Sequence, residues 1–307
     1  MSDSARPPAL EAIGLTKRLG GRLVVDAVDV VCAAGTVVGL LGPNGAGKTT
    51  TLRMLYGFLS PDSGAIRYHG RDFVQDREAI KRTIGVCTQD DTLDEEFSVA
   101  QNLAIYAGYF RPRVPDLAAR IAGLMDEVGL TPFAAQRPVT LSGGFRRRLM
   151  IARAVVHGPS VLFLDEPTTG LDPQARVDVW RLVDQLRTQG LAIILTTHYM
   201  DEAERLSDRL VVLDRGRRVT EGSPREVIDE QIGEHVVVVH ADAVDAAAFH
   251  GWLASRGIAL PAAVLGQLHI PLRGAQLGEF TAAFPDLRFT VREPDLDDLF
   301  MRLAVRR

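Results

Sequence analysis

One stretch of eight residues constrains the fold of this chain more than any other. Residues 42–49 read G-P-N-G-A-G-K-T and match the pattern G-x-x-x-x-G-K-[ST] at every fixed position. The apolar run Val37–Leu41 precedes this segment, and residues 50–58 follow it with helical spacing. A strand, a glycine-rich loop and a helix in this order predict a phosphate-binding loop within an α/β fold.

Each residue type in this phosphate loop has its own part in binding a triphosphate. Glycines let main-chain N–H groups approach oxygen atoms closely, at the positive end of the helix that follows. The Lys48 ammonium suits the outer phosphates, and the Thr49 hydroxyl is a ligand for Mg²⁺. We expect the nucleotide contacts to come from the consecutive residues Gly42, Pro43, Asn44, Gly45, Ala46, Gly47, Lys48, Thr49 and Thr50.

Other short apolar runs alternate with helical stretches further along the chain. They are residues 84–86, 161–164, 192–195 and 210–213. Runs that are apolar on both faces and alternate with helices predict a buried, mostly parallel sheet. Turn residues around positions 65–69 predict a strand of an antiparallel flank. Helical periodicity dominates residues 90–157, which predicts a helical subdomain.

The pattern changes after the G-S-P string at residues 222–224. Short strands and helices alternate from there to the end of the chain, which predicts a small α+β domain, and we expect it to be ferredoxin-like. We therefore predict two domains, at residues 8–230 and 231–307. No residue cluster in the second domain suggests catalysis.

Two carboxylates end the apolar run at residues 161–164. Asp165 and Glu166 should lie at the carboxyl edge of the parallel sheet, where open α/β folds bind ligands. At that edge Asp165 is a candidate metal ligand, and Glu166 is placed to orient or deprotonate an attacking water. A surface turn is the alternative, and the preceding V-L-F-L disfavours it.

The L-S-G-G string at residues 141–144 opens a predicted helix, with Ser142 as its N-cap. Two glycines expose the first N–H groups of that helix, which favours a second phosphate site. Arg146, Arg147 and Arg148 in the first turn oppose the helix dipole. An anion bound at the helix start would relieve this conflict, and so would neighbouring acidic side chains. The charge pattern leaves both alternatives open.

Charge and hydropathy argue against two functions, nucleic-acid binding and direct spanning of a membrane. The formal net charge of −4 argues against nucleic acid as the main ligand, because phosphate backbones recruit basic surfaces. No uninterrupted apolar stretch reaches the roughly 18–20 residues needed to cross a bilayer. We therefore expect any membrane role to operate through a partner.

Taken together, these segments resemble the ATP-binding cassette (ABC) ATPases across residues 8–225. The phosphate loop, Gln89, L-S-G-G, the D-E pair, T-G-L-D at residues 169–172 and T-T-H at residues 196–198 occur in the family's order and spacing. The resemblance implies a P-loop NTPase core with a mostly parallel sheet, an antiparallel flank and a helical signature subdomain. It also implies an ATPase that uses ATP and Mg²⁺.

The resemblance further implies roles for single residues. Gln89 would contact the metal and the water and sense a membrane partner, and His198 would contact the γ-phosphate. The remaining implied contacts belong to a cassette dimer. Ser142, Gly143 and Gly144 would cap the γ-phosphate of ATP on the opposite subunit, and Asp172 would lie in the loop that crosses between subunits.

Two positions depart from the commonest family pattern. Leu19 stands where an aromatic side chain usually stacks on adenine, and Phe145 replaces the glutamine that often follows L-S-G-G. The apolar residue at 145 and the closing E-P-D-L-D-D-L-F string, from residue 293, resemble the daunorubicin-resistance and nodulation-factor export ATPases.

We therefore expect the motor subunit of an ABC-2-type exporter for a hydrophobic, lipid-linked or drug-like substrate. It would form a homodimer of cassettes, bind a separate transmembrane permease, and lie on the inner face of the cell membrane. Acidic residues 90–96 and the aromatic residues beyond them would receive a basic helix of the permease, or would be a solvated loop. Rival interpretations are a soluble ABC ATPase of translation or repair, a small-molecule kinase and an importer subunit.

Overall fold

The computed structural model describes residues 7–261 and 263–305. The chain forms two compact units, of which the first ends at Glu221 and the second begins at Gly222. The predicted boundary at 230/231 lies further along the chain. Helix Pro224–Gln231 packs against the last helix, Leu296–Val305, and the structure therefore places both helices in the second unit.

The first unit contains ten strands and seven α-helices within the described residues. In chain order they are β1 (Leu10–Leu19), β2 (Arg22–Cys32), β3 (Val37–Leu41), α1 (Lys48–Leu55), β4 (Ser63–Tyr68), β5 (Arg71–Asp72), α2 (Arg77–Lys81), β6 (Ile84–Cys87), α3 (Val99–Ala107), α4 (Leu117–Glu127), α5 (Gly143–Val155), β7 (Val161–Asp165), α6 (Pro173–Thr188), β8 (Ala192–Thr196), α7 (Met200–Leu206), β9 (Arg209–Asp214) and β10 (Arg217–Gly222).

A six-stranded sheet in the order β10-β9-β3-β8-β7-β6 forms the centre of this unit. The pairings β9–β3, β3–β8, β8–β7 and β7–β6 are parallel, as the apolar runs predict. Successive residues of β7 enter different clusters, because side chains of a strand point alternately to its two faces. Leu162 and Leu164 pack with the helices α3 to α6, whereas Val161 and Phe163 pack with α1 and the antiparallel strands.

The antiparallel flank is a four-stranded sheet in the order β2-β1-β4-β5. Sequence patterns indicate β4 but not the two long strands before it. The pairing of β1 with β2 contains three register shifts, between Ala12 and Arg18. Each shift interrupts the alternation of apolar and polar residues by which a half-buried strand is recognised.

The predicted helical subdomain contains α3, α4 and α5. Ser98 and Gln101 form a capping box that starts α3, and Asp116 caps α4 through the N–H of Ala119. The apolar faces of these helices pack into one cluster with the parallel sheet. The helix that begins at Gly143 is thereby fixed against the strand ends that carry the acidic pair.

The second unit contains α8 (Pro224–Gln231), β11 (His235–His240), α9 (Ala246–Ser255), β12 (Gln267–Leu272), α10 (Gln276–Ala283), β13 (Phe289–Arg292) and α11 (Leu296–Val305). Its three strands form an antiparallel sheet in the order β12-β11-β13. The α+β class agrees with the sequence pattern. The ferredoxin-like arrangement is wrong, because that arrangement has four strands and the described part of this unit has three.

Candidate nucleotide site

The phosphate loop joins the end of β3 to the start of α1, and its glycines are required by the path of the chain. Gly42, Gly45 and Gly47 have φ angles of 148°, 80° and 101°, which other residues rarely adopt. A Cβ at Gly42 would lie 2.1 Å from the carbonyl oxygen of Leu213, and one at Gly47 would lie 2.8 Å from that of Val24. The loop is therefore packed tightly between β2 and the end of β9.

Lys48 is the first residue of α1, and its side chain is buried against the loop. Its ammonium donates hydrogen bonds to the carbonyl oxygens of Gly42 at 2.6 Å and Pro43 at 3.3 Å. Burial lowers the pKa of Lys48, and the nearby carboxylates of Asp165 and Glu166 oppose this shift. The predicted loop residues thus form one continuous structure from Gly42 to Thr50, with Asn44 and Gly45 exposed and Thr49 and Thr50 half-buried.

Asp165 is the last residue of β7, and Glu166 follows at the carboxyl edge of the sheet. The Thr196 hydroxyl, at the end of β8, donates a hydrogen bond of 2.6 Å to Asp165 Oδ1. Burial raises the pKa of Asp165, whereas this hydrogen bond lowers it. Two adjacent strands therefore hold the candidate metal ligand in place.

Glu166 is held in an uncommon backbone conformation. Its φ angle is 48°, in the left-handed region, where a residue with a side chain is strained by about 1–3 kcal/mol. Its N–H lies 3.1 Å from both the carbonyl oxygen and the hydroxyl oxygen of Thr196. Strain of this kind is found at functional sites, where the surrounding structure maintains it.

Three polar side chains converge on one carboxylate oxygen, Oε2 of Glu166. Gln89 Nε2 donates to it at 3.2 Å, the Thr169 hydroxyl donates at 3.0 Å, and His198 Nδ1 lies 3.2 Å away. Gln89 follows β6 and His198 follows β8, so three neighbouring strands of the sheet contribute to the cluster. The structure thus brings together Gln89, Glu166 and His198, as the resemblance implies.

Sequence reasoning missed two hydroxyl groups of this cluster, those of Thr169 and Thr196. Both lie within the family strings, T-G-L-D at residues 169–172 and T-T-H at residues 196–198. A hydroxyl three residues after Glu166, in a turn, is the signal that could have indicated Thr169, because short polar side chains often bond to nearby groups in turns. The contact of Thr196 with Asp165 depends on strand pairing and has no local signal.

The L-S-G-G segment lies at the start of α5, as predicted. Ser142 is the N-cap residue and is exposed, but its side chain forms no capping hydrogen bond. Gly143 is also exposed. Gly144 is buried, and a Cβ there would lie 2.7 Å from Cβ of Ala175 in α6, so this glycine allows the two helices to approach closely.

Asp172 has a structural role as the N-cap of α6. Its Oδ1 accepts a hydrogen bond of 2.9 Å from the N–H of Ala175, and the residue is exposed. Asp172 therefore fixes the start of α6, and it does so at the surface of the protein.

The three arginines after L-S-G-G have separate partners. The Arg146 guanidinium bonds to Asp91 at 2.7 Å and to Glu95 at 3.1 Å, which is the acidic-neighbour alternative. Arg147 donates only to main-chain carbonyls and the Met150 sulfur, and Arg148 donates to the carbonyl of Val128 and stacks on Phe145. Arg146 is thus paired with carboxylates of this chain, whereas Arg147 and Arg148 bond mainly to main-chain carbonyls.

Within residues 7–261 and 263–305, no helix is long and apolar enough to cross a membrane.

The fold and the site together define a protein of the α/β class with a phosphate loop, whose parallel sheet presents carboxylates and a histidine beside that loop. Such an arrangement binds a nucleoside triphosphate and directs polar groups at its outer phosphates.

Comparisons with known proteins narrow this class. The family model described as ABC transporter matches residues 25–169. The chain is 41% identical over 305 residues to the Nod factor export ATP-binding protein I of Ralstonia nicotianae, covering 97% of this chain and 94% of that protein. It is 39% identical over 312 residues to the protein of the same name from Rhizobium johnstonii, covering 99% and 97%.

A solved structure agrees with these relatives. The structure of cbiO1 from Clostridium perfringens, part of the ABC transporter complex cbiONQ, matches with a TM-score of 0.68 and 28% identity, over 73% of this chain and 92% of that one. The chain belongs to the ABC transporter family as an ATP-binding protein, and its activity is that of an ATPase. The predicted family and fold class are confirmed.

Proposed function

We propose that this chain is the ATP-hydrolysing motor subunit of an ABC-2-type exporter for a hydrophobic, lipid-linked or drug-like substrate. The relatives named above are export ATP-binding proteins, and the similarity spans nearly the whole chain, including the second unit. A separate permease would hold the subunit on the inner face of the cell membrane. The observation that carries the catalytic part is the convergence of Gln89, Thr169 and His198 on Glu166 Oε2.

The phosphate loop supplies the binding half of the site. Its N–H groups and the helix α1 provide positive electrostatic potential for phosphate oxygens. The Lys48 side chain is buried, so little water competes with a phosphate for its ammonium group. The carboxylates of Glu166 and Asp165 are near enough to favour its charged form. Catalysis of phosphoryl transfer is mostly positioning and charge neutralisation, which this arrangement serves.

The residues near the loop also fit a magnesium ion. The Thr49 hydroxyl, the Asp165 carboxylate and the Gln89 amide oxygen are hard oxygen donors, the type that Mg²⁺ prefers. Asp165 is buried, and the Thr196 hydroxyl bonds to one of its oxygens, which limits its rotation. When bound, the ion would neutralise charge on the outer phosphates.

Glu166 would orient the attacking water and accept its proton. Gln89, Thr169 and His198 all contact Oε2 of Glu166, and these contacts hold the carboxylate in one orientation. A base held in a fixed position lowers the entropic part of the activation barrier, because the water and the base are already correctly oriented. His198 lies on the same side and would contact the γ-phosphate.

The second half of each site would come from another copy of the chain. Ser142 and Gly143 are exposed at the start of α5, where N–H groups favour an anion. Asp91 and Glu95 pair with Arg146, so a phosphate at the helix start would be bound by the N–H groups and not by this guanidinium. We propose a homodimer in which this segment caps the γ-phosphate of ATP on the opposite subunit, with Asp172 at the same interface.

A groove near Gln89 is the proposed contact with the permease. It encloses about 460 Å³, and its lining includes Thr88 beside Gln89, together with Phe97, Ile105 and Tyr109. These three apolar side chains are partly exposed, with Tyr109 at 76%. Asp91, Glu95 and Glu96 form ion pairs with arginines of this chain. The aromatic groove, more than the acidic loop, therefore suits a helix of the permease.

The substitution Glu166→Gln tests the proposed catalytic role. Glutamine keeps the size of the side chain but cannot accept the proton of water at neutral pH. We expect turnover of ATP to fall by about 10²–10⁴-fold, the usual contribution of a general base, with ATP affinity retained. Glu78→Gln, on the exposed face of α2, is the matched control. Near-normal phosphate release by the Glu166 variant would remove this residue from the role.

A further inference from the structure

Arg147 is almost completely buried, although it lies in the first turn of the helix that starts at the L-S-G-G segment. Its exposed fraction is 7%. A buried guanidinium needs partners for all of its N–H groups, because an unpartnered one loses its hydration without compensation. Its contacts therefore show what this residue holds together.

The five N–H donors of the guanidinium are matched by carbonyl oxygens from two loops. Those oxygens belong to Pro167 (from Nε, 2.7 Å), Asp165 and Glu166 (from Nη2, 2.9 and 3.0 Å), and Thr88 and Gln89 (from Nη1, 2.7 and 3.5 Å). One planar side chain thus bridges the carboxyl ends of β6 and β7, directly behind the candidate catalytic residues.

The contacts of Arg147 with the carbonyls of Asp165 and Glu166 restrain the backbone conformation of Glu166. These two carbonyls belong to the peptide groups on either side of the Glu166 Cα, so fixing both fixes its φ and ψ angles. The φ angle of 48° is strained and needs support from outside the loop. Arg147 supplies that support from α5, while Thr196 supplies it from β8.

We propose that Arg147 is a positioning residue that couples the start of α5 to both Glu166 and Gln89. The coupling rests on the proposed function, in which residues 141–144 receive ATP from the opposite subunit. Engagement of that ATP would fix α5, and Arg147 would transmit the fixed position to the backbone of Glu166 and Gln89 in its own site. Each ATP then organises hydrolysis in the other site of the dimer.

The neighbouring arginine provides a control for this inference. Arg148 is half-buried on the same helix, but it bonds to the carbonyl of Val128 and stacks on Phe145, both within the helical subdomain. It does not reach the ends of β6 or β7. A lysine at either position keeps the charge and loses the planar fork that bonds several carbonyls at once.

The experiment compares Arg147→Lys, Arg147→Met and Arg148→Lys in the full-length chain. Steady-state turnover is measured over a range of ATP concentrations, and affinity is measured with the non-hydrolysable analogue AMP-PNP. We expect wild-type turnover to rise sigmoidally with ATP, because the two sites communicate. Both Arg147 variants should lose about 10- to 100-fold in kcat, the scale of a small misplacement of reacting groups, and should respond hyperbolically.

The affinity for AMP-PNP should stay within about twofold of wild type in both Arg147 variants, because Arg147 makes no contact with the phosphate loop in the described structure. Arg148→Lys should retain kcat and the sigmoidal response. The proposal is overturned by a kcat of the Arg147 variants close to wild type, by a sigmoidal response that survives in them, or by a hyperbolic wild type.

Loss of AMP-PNP binding in both Arg147 variants would also overturn it, because Arg147 would then maintain the cassette fold and not the catalytic geometry. Failure of the proposed function has a different signature. It would appear as normal turnover in Glu166→Gln, whatever the Arg147 variants do.

Discussion

In the proposed ATP site, Leu19 would offer the adenine base an aliphatic side chain, in the hairpin that leads into β2. The residue is 42% exposed at the end of β1, and Val24 of the same hairpin lies against Gly47 of the phosphate loop. Leu19→Tyr would add a ring for stacking. We expect ATP affinity to increase about two- to tenfold, because aromatic stacking contributes roughly 0.5–1.5 kcal/mol beyond buried area.

Calorimetric titration with ATP measures this change, and Ile13→Tyr, at an equally exposed position of the same strand, is the control. The control should leave the affinity unchanged. Equal affinities of wild type and Leu19→Tyr would show that Leu19 does not lie against the base.

Residues of the site differ in how far sequence alone could predict them. Lys48 and Thr49 belong to a continuous string whose geometry is local, so the pattern is sufficient. Arg147 is different. Its charge at a helix start suggested an anion or an acidic neighbour, but its partners are carbonyls more than fifteen residues away on two strand ends. Only the tertiary structure brings these groups together.

At the scale of elements, Glu202 joins α7 to α6 and to the turn after Glu166. It is completely buried, and its Oε1 accepts hydrogen bonds from the Thr168 hydroxyl at 2.8 Å and from Trp180 Nε1 at 3.0 Å. Burial raises the pKa of Glu202 above its ordinary value of 4.5.

A raised pKa makes this carboxyl group a source of pH-dependent stability. The contribution is fully present below about pH 4.5 and is lost as the pH rises through the raised folded value. Glu202→Gln keeps an oxygen acceptor and cannot ionise. We therefore expect the free energy of unfolding of wild type to decrease relative to the variant as pH rises, measured by urea denaturation at several pH values. Parallel pH profiles would contradict this.

Glu202→Ala adds a second comparison. It would leave the Thr168 hydroxyl and the Trp180 N–H buried without a partner, at a cost of about 1–3 kcal/mol for each. Glu78→Gln again serves as the exposed control and should follow the wild-type profile.

Strands could be predicted from the sequence where every one of their residues is buried. The core strands β3, β7 and β8 are buried at every position, so a short apolar run indicates them directly. The strand β2 is half-exposed, contains Asp26 and Asp29, and pairs with shifted register, so its alternation is irregular. In the second unit, the strands and helices follow the sequence pattern, and the described residues depart only from the four strands of a ferredoxin-like arrangement.

At the scale of the whole molecule, the proposal divides each ATP site between two chains. The phosphate loop, Lys48 and Glu166 form one half, and the segment beginning with Ser142 forms the other. The substitution Ser142→Arg should disrupt only the second half of the ATP site. The Ser142 side chain is exposed and forms no capping bond, so its replacement leaves the fold of its own chain intact.

Mixing variant chains tests this division. Under this proposal, dimers of Glu166→Gln alone would have two defective sites, as would dimers of Ser142→Arg alone. A mixed dimer would contain one intact site, because the Ser142→Arg chain would supply Glu166 and its partner would supply Ser142. We expect the mixture to hydrolyse ATP well above the sum of the two preparations. Glu166→Gln mixed with Lys48→Ala is the control, since both changes lie in the same half and no combination restores a site. Strictly additive turnover in the first mixture would show that each chain hydrolyses ATP alone.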